Sequence, residues 1–215
     1  MITLNDVREA LRLNKFDVLS AHSEMTPLAR INKRPSDMEG NPRIGAVLLL
    51  LYCKADALHI VLTRRRDDLN SHAGQISFPG GRQEAMETLQ TTALRETHEE
   101  IGVPATAVTI LGQLTDIYIP PSDFEVHPFV GWYHNGKRPS FQPSVTEVAK
   151  IIETPITYLM QPETRKTGPW QFRGMTLTVP YFDVDGHMVW GATAIMLSEF
   201  LARLAIVTSN NVSGA

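Results

Sequence analysis

The run Ala46-Val-Leu-Leu-Leu-Leu-Tyr52 sets the first limit on what this chain can become. It is apolar without polar alternation and too short for a helix pattern to establish itself, so it reads as a strand buried on both faces. A membrane helix needs roughly 20 such residues, and this run falls far short. With 215 residues, 43% of them hydrophobic, the chain can build one sizeable core.

The flanking pattern gives the rest of the organisation. Residues 3–13 predict a short amphipathic helix, with Thr3 as N-cap and Asp6 as its partner. Residues 20–43 hold Pro27, Pro35, Gly40 and Pro42 and read as a loop or arm. After the buried strand, Lys54-Ala-Asp56 forms a turn and His59 to Thr63 returns. Gln75 to Phe78 is a further strand, stopped by Pro79-Gly80-Gly81. Residues 88–101 form a helix ended by Gly102. Strands follow at 108–111, 126–133 and 148–152, then Met175 to Phe182 pairing with Trp170 to Phe172. Ala192 to Leu204 closes the chain as a helix, before a loose tail from Ser209 to Ala215. The expectation is a mixed sheet flanked by helices, as one α/β domain over 43–207, with a helix and arm over 1–42 and a tail over 208–215.

Charge and cysteine usage narrow the function. The net charge is −3, and no Lys/Arg stripe of the kind a nucleic-acid binder shows is present. The one basic cluster, Arg64-Arg65-Arg66, suits a small anionic ligand. A single cysteine, Cys53, excludes an intrachain disulfide and a Cys-rich zinc site. The first residues, Met1 to Asp6, do not resemble a signal peptide. A soluble cytoplasmic protein with no nucleic-acid or membrane partner is expected, and the N-terminal helix and arm offer a surface for a homodimer.

The chemistry sits on the mid-chain helix. Residues three and four apart share a helix face, so Glu96, Glu99 and Glu100 project together within about 100° of arc. Ala93, Leu94, Thr97 and Ile101 form the side that packs on the sheet. A like-charge pair such as Glu96 and Glu100 costs roughly 0.2–0.5 kcal/mol, and the dipole at a helix C-terminus disfavours negative charge. Stability alone does not select this layout, although an acidic face turned to water is the ordinary alternative. A hard divalent cation does select it, because Mg²⁺ and Mn²⁺ take oxygen ligands and pair with substrate phosphates. Arg95 reaches Glu99 at i+4 and can hold one carboxylate in place.

Residues 81–103 resemble the Nudix box: Gly, five residues, Glu, seven residues, then Arg-Glu-U-x-Glu-Glu-x-Gly-U, where U is bulky and aliphatic. Gly81, Glu87, Arg95, Glu96, Glu99, Glu100, Gly102 and Val103 all fall in register, and Thr97 is a smaller residue at the first U position. The resemblance implies a Nudix fold, an α/β/α sandwich with a mixed β-sheet. It implies a pyrophosphohydrolase acting on a nucleoside diphosphate linked to another group. Glu96, Glu99 and Glu100 would ligate Mg²⁺ or Mn²⁺, with the Gly81 carbonyl as a further ligand. Arg95 would orient the carboxylates, Glu87 would support the loop before the helix, and Glu99, Glu100 or Glu147 would take the proton of the attacking water.

Residues 61–81 also resemble the segment that precedes the box in coenzyme A pyrophosphatases. Leu62, Thr63, Arg65, Gly74, Phe78, Pro79, Gly80 and Gly81 match it; Arg66 stands where that segment has a small residue, and Asn70 where it has Arg. The resemblance implies cleavage of coenzyme A to 3′,5′-ADP and 4′-phosphopantetheine, with Arg64, Arg65, His72, Gln75 and Gly80 as substrate contacts. Two other readings stand beside it. One keeps the chemistry and changes the ligand to ADP-ribose, NADH or a dinucleoside polyphosphate. The other is a nucleotide-binding module without catalysis, which would be expected to have lost metal carboxylates.

Overall fold

Leu48 to Tyr52 are completely excluded from solvent, and they alternate between two cores. Strand β1 (Arg43–Lys54) sends Leu49 and Leu51 to one face, and Ala46, Leu48, Leu50 and Tyr52 to the other. Side chains of a strand point alternately to opposite faces, so this one strand supplies both layers with apolar surface. Each such leucine contributes roughly 1.5–3 kcal/mol on burial. The computed structural model describes residues 1–27, 38–69, 72–135, 138–172 and 174–213. Pro35 with the middle of the expected arm, Asn70, and the end of the expected tail at 214–215 lie outside the described residues.

β1 is the hub of an eight-stranded mixed sheet. β7 (Phe124–Tyr133) runs parallel to it, from Arg43 opposite Phe124 to Leu51 opposite Trp132. β2 (Ala57–Arg65) returns antiparallel along residues 51–54 of β1. The other end of β1, at 45–47, pairs with β4 (Gly80–Arg82). β3 (Ile76–Ser77) and β8 (Val148–Pro155) pair with β2, while β5 (Val108–Gln113) and β6 (Ile117–Ile119) pair with β7.

Helix α3 (Leu89–Ile101) covers one face, burying Ala93 and Ile101 against Ala46, Leu48, Leu50, Val61 and Phe129. The other face is covered by α5 (Gly191–Ser213), α1 (Leu4–Leu11) and the short α4 (Ile156–Leu159). Beside them stands a second, three-stranded antiparallel sheet of β9 (Arg165–Phe172), β10 (Met175–Val184) and β11 (His187–Trp190). The α/β/α sandwich with a mixed sheet is therefore present, with this small sheet added on the α5 side.

Several elements differ from the sequence expectation. Residues 20–43 are not all loop: α2 (Val18–Ser23) forms there, capped by Asp17 on the Ser20 amide. Gly80-Gly81 is not a simple stop, because β4 continues the sheet. The closing helix extends beyond Leu204 to Ser213 and includes most of the stretch read as a loose tail. Part of α5, Gly191–Asn210, is long and apolar enough to cross a membrane, but 61% of that window is buried inside the molecule. Its Glu199 side chain is fully buried and bonded to His22 and Arg203, which suits a core helix. The predicted capping box of α1 is formed: the Thr3 amide donates to Asp6 Oδ2 at 2.7 Å, and the Asp6 amide donates to Thr3 Oγ1 at 3.2 Å.

Candidate active site

The site starts from how α3 is held at its two ends. Thr88 caps the first turn by accepting from the Thr91 amide at 3.1 Å. Gly102 ends the helix at φ 74°, a left-handed conformation that glycine adopts without steric cost. The loop after Phe141 then satisfies the last carbonyls: the Gln142 amide donates to Ile101 and the Ser144 amide to Glu100, both at 2.9 Å. That loop carries Glu147 to the C-terminal turn of α3.

The carboxylates form a gradient of burial. Glu99 is 55% exposed, Glu96 17% and Glu100 6%. Arg95 organises the first two, donating from Nη1 to Glu96 Oε1 and Glu99 Oε2 at 3.0 Å each. Its other donors go to Glu87, at 3.1 and 2.9 Å, and to the Arg82 carbonyl at 3.1 Å. Glu87 also accepts from the Glu84 amide and from Thr92, which ties the loop before the helix to its first turn. Arg95 holds the Glu87 carboxyl down to about 2 through these hydrogen bonds. Burial pushes Glu96 upward against the opposing pull of Arg95. Burial pushes Glu100 up to about 8; Arg65 pulls it down while Glu96 and Glu147 push it further up.

Glycines let the sheet approach this cluster. A Cβ on Gly81 would lie 2.4 Å from Glu96 Oε1, so the bare backbone of β4 rests against that carboxylate. The Gly81 carbonyl oxygen lies over Gly45, where a Cβ would come within 2.2 Å of it.

The basic segment lies on the other side. Arg65 Nη1 stands 3.8 Å from Glu100 Oε1 and 3.6 Å from Glu147 Oε2. A β-bulge between Arg64 and Arg65 separates these neighbours. Arg64 turns instead to Asp67, and Arg66 to Asp68 and the Val145 carbonyl. His72 and Gln75 bond to each other at 2.9 Å. The Gln75 carbonyl accepts from the Arg65 amide at 3.0 Å, so this loop is folded back on the end of β2.

Hard oxygen donors meet the chemistry of a divalent ion here. The buried Oε2 of Glu100 has no hydrogen-bond partner, as a ligand atom waiting for a cation would. The three helix carboxylates are nevertheless more widely spread than a bound ion requires. Among the described residues, the set whose donor atoms all lie within 4.8 Å of one another is Asp116, Glu125 and His127. His127 Nδ1 lies 2.9 Å from Asp116 and Nε2 lies 3.1 Å from Glu125. Sequence reasoning missed this cluster; its one local signal is that Glu125 and His127, two apart on β7, share a face. The Arg65 bridge also escaped it, because nothing local pairs residues 65, 100 and 147.

The fold, with carboxylates on a helix behind a Gly-Gly approach, fits a hydrolase of phosphorus-containing anhydrides. A profile of the NUDIX domain matches residues 42–170, and the chain belongs to the Nudix family. It is similar to the uncharacterized Nudix hydrolase NudL of Photorhabdus laumondii, with 33% identity over 173 residues, 80% of this chain and 90% of that one. Nudix hydrolase 3 of Caenorhabditis elegans is 32% identical over 196 residues, covering 83% of this chain and 80% of its own. Among solved structures, a MutT/nudix family protein from Enterococcus faecalis shares the fold with a TM-score of 0.53 at 13% identity, over 97% of this chain and 76% of that chain. Nudix hydrolases act on nucleoside diphosphate derivatives and generally use divalent metals.

Proposed function

We propose that this Nudix hydrolase cleaves the diphosphate of coenzyme A or its derivatives to 3′,5′-ADP and 4′-phosphopantetheine, using Mg²⁺ or Mn²⁺. Glu96, Glu99 and Glu100 would draw together to hold the ion, and the Gly81 carbonyl, which lies over Gly45, would turn toward it as a further ligand. A divalent ion so held neutralises phosphate charge and lowers the pKa of bound water. The chain's own groups do the rest. Arg95 fixes the carboxylate directions, and the low-dielectric wall around Glu100 strengthens its interaction with any cation. A carboxylate takes the proton as water attacks phosphorus and the bridging P–O bond breaks. Glu147 is suited to that role, being half exposed and within reach of the same guanidinium as Glu100. Folding of α5 into the core fits a soluble cytoplasmic enzyme.

The carrying observation is that the segment resembling coenzyme A pyrophosphatases is folded against the acidic helix. Arg65 reaches Glu100 while its amide is tied to Gln75. On this reading Arg64, Arg65, His72, Gln75 and Gly80 would contact the diphosphate. Arginine suits both the diphosphate and the 3′-phosphate of coenzyme A. One observation favours a second reading: Arg64 and Arg66 are already paired with Asp67 and Asp68. A ligand without the extra phosphate, such as ADP-ribose, NADH or a dinucleoside polyphosphate, needs fewer free cations. The deciding experiment is a substrate panel with Mg²⁺ or Mn²⁺ and product identification. Release of 3′,5′-ADP from coenzyme A supports the first reading, and rapid turnover of another substrate with none of coenzyme A rejects it.

A further inference from the structure

Arginines in this protein that serve as structural clamps are fully engaged. Arg95 grips Glu87 with two donors at 3.1 and 2.9 Å, and Arg138 grips Glu153 with two at 2.6 Å. Arg65 does not behave in this way. Its approaches to Glu100 and Glu147 are 3.8 and 3.6 Å, too long for good hydrogen bonds. Its Nε–H is buried and has no partner, and Glu100 Oε2 is likewise without one. A guanidinium and a carboxylate this far apart, each keeping an unpaired buried atom, are neighbours by charge, not a built clamp. The side chain is only 27% exposed, so solvent supplies little compensation.

What Arg65 does provide is a positive charge between two carboxylates. Glu100 is 6% exposed, and an isolated carboxylate there would be costly. A metal ion bound to this carboxylate would need to come within about 2.1 Å of one of its oxygens. Two cations at that spacing repel, and the divalent one forms the stronger bond to oxygen.

We propose that Arg65 stands in for the divalent cation between Glu100 and Glu147, so that the guanidinium and the metal exclude one another there. This inference rests on the reading of the α3 carboxylates as the metal site. Arg65 is then a positioning residue with two states. In the metal-free protein it keeps Glu100 from standing alone. When a cation takes Glu100, Arg65 is released toward the anionic substrate that brings new acceptors. Arg65 stands at the end of β2, where the register with β8 shifts between Arg64 and Arg65.

The test is calorimetric titration of Mn²⁺ into metal-stripped protein without substrate. Arg65→Met should bind Mn²⁺ about tenfold tighter than the unsubstituted chain, because the competitor is gone. Arg64→Met removes the same charge one residue away, from a side chain turned to Asp67, and should change affinity less than about twofold. Equal effects of the two substitutions, or none from Arg65→Met, overturn the proposal. Should Arg65→Met fail to fold without metal, Arg65→Gln decides: a rise in affinity supports exchange, and unchanged affinity refutes it. Failure of the underlying reading looks different, since Mn²⁺ binding would then be indifferent to Glu96→Gln and Glu99→Gln in the unsubstituted background.

Discussion

Glu87 and Arg95, eight residues apart on either side of the cap of α3, are joined by two hydrogen bonds of 3.1 and 2.9 Å. The same guanidinium holds Glu96 and Glu99, so the loop before the helix and the acidic face after it share one anchor. Lysine cannot reproduce that planar fork. Arg95→Lys should lower kcat/KM by about 10–100-fold, the usual effect of losing a group that orients ligands. Circular dichroism should show an unchanged fold, and metal titration a weakened site. If kcat/KM survives intact, Arg95 is not the organiser.

Because Arg95 depresses the Glu87 carboxyl to about 2, its stabilising contribution is present above the ordinary carboxylate range near 4.5 and is lost as pH falls toward 2. Denaturant unfolding between pH 5 and pH 2 should therefore be less steep in pH for Glu87→Gln than for the parent chain.

The individual carboxylates should differ in what their removal does. Glu99→Gln changes the most exposed of the three and leaves the core untouched, so activity should fall by about 10³-fold, roughly 4 kcal/mol of transition-state stabilisation, with thermal stability kept. Glu100→Gln also lowers activity but should raise the stability of the metal-free protein at pH 8, because a neutral amide replaces a buried carboxyl. Steady-state kinetics and thermal melts on both variants check the split. Melts of the metal-free Glu100→Gln protein that fall below those of the parent at that pH would contradict the placement of Glu100.

Gly45→Ala tests the approach of β4 to β1. The added methyl would meet the Gly81 carbonyl at 2.2 Å and the Phe124 ring at 2.7 Å, against a backbone that cannot turn aside. A loss of about 1–3 kcal/mol or more is expected from such overpacking. Metal affinity should fall with it, because Gly81 rests on Glu96. Urea unfolding paired with Mn²⁺ titration separates the two effects; a variant that loses neither leaves the β4 edge without a role.

Much of this fold was legible because its signals are local. The unbroken apolar run of β1 announced two covered faces, the box placed Glu96, Glu99 and Glu100 on one side of α3, and Thr3 with Asp6 announced a capped helix. Other parts required partners distant in the chain. β4 reads as a break because two glycines favour turns, yet Gly45 on β1 makes room for it to pair. α2 has six residues among turn formers, and its packing on α5 through His22 and Glu199 carries no sequence pattern. In the sequence Arg65 reads as a phosphate contact from its place in a basic run. Its position between Glu100 and Glu147 arises only when β2, α3 and the loop before β8 meet. β11 is four residues long and follows a turn with positive φ at Asp185 and Gly186, too short for alternation to show.

The pH dependence of metal binding follows from Glu100. Burial raises its carboxyl to about 8 in the metal-free protein against the pull of Arg65, so below that pH a proton competes with the metal, as the guanidinium does, for the same carboxylate. Folded Glu100 binds its proton more tightly than unfolded Glu100 does. Its contribution therefore favours the fold below the ordinary carboxylate range, declines as pH rises toward 8, and is constant above that. Metal binding reverses this by fixing the ionised form. Mn²⁺ affinity should rise by up to about tenfold per pH unit between pH 6 and pH 8 and then level off, as expected when one proton is displaced. Glu100→Gln should flatten that slope while keeping whatever binding Glu96 and Glu99 supply. Titrations at pH 6, 7, 8 and 9 measure it, and a parent slope equal to that of Glu100→Gln would show that some other group carries the competing proton.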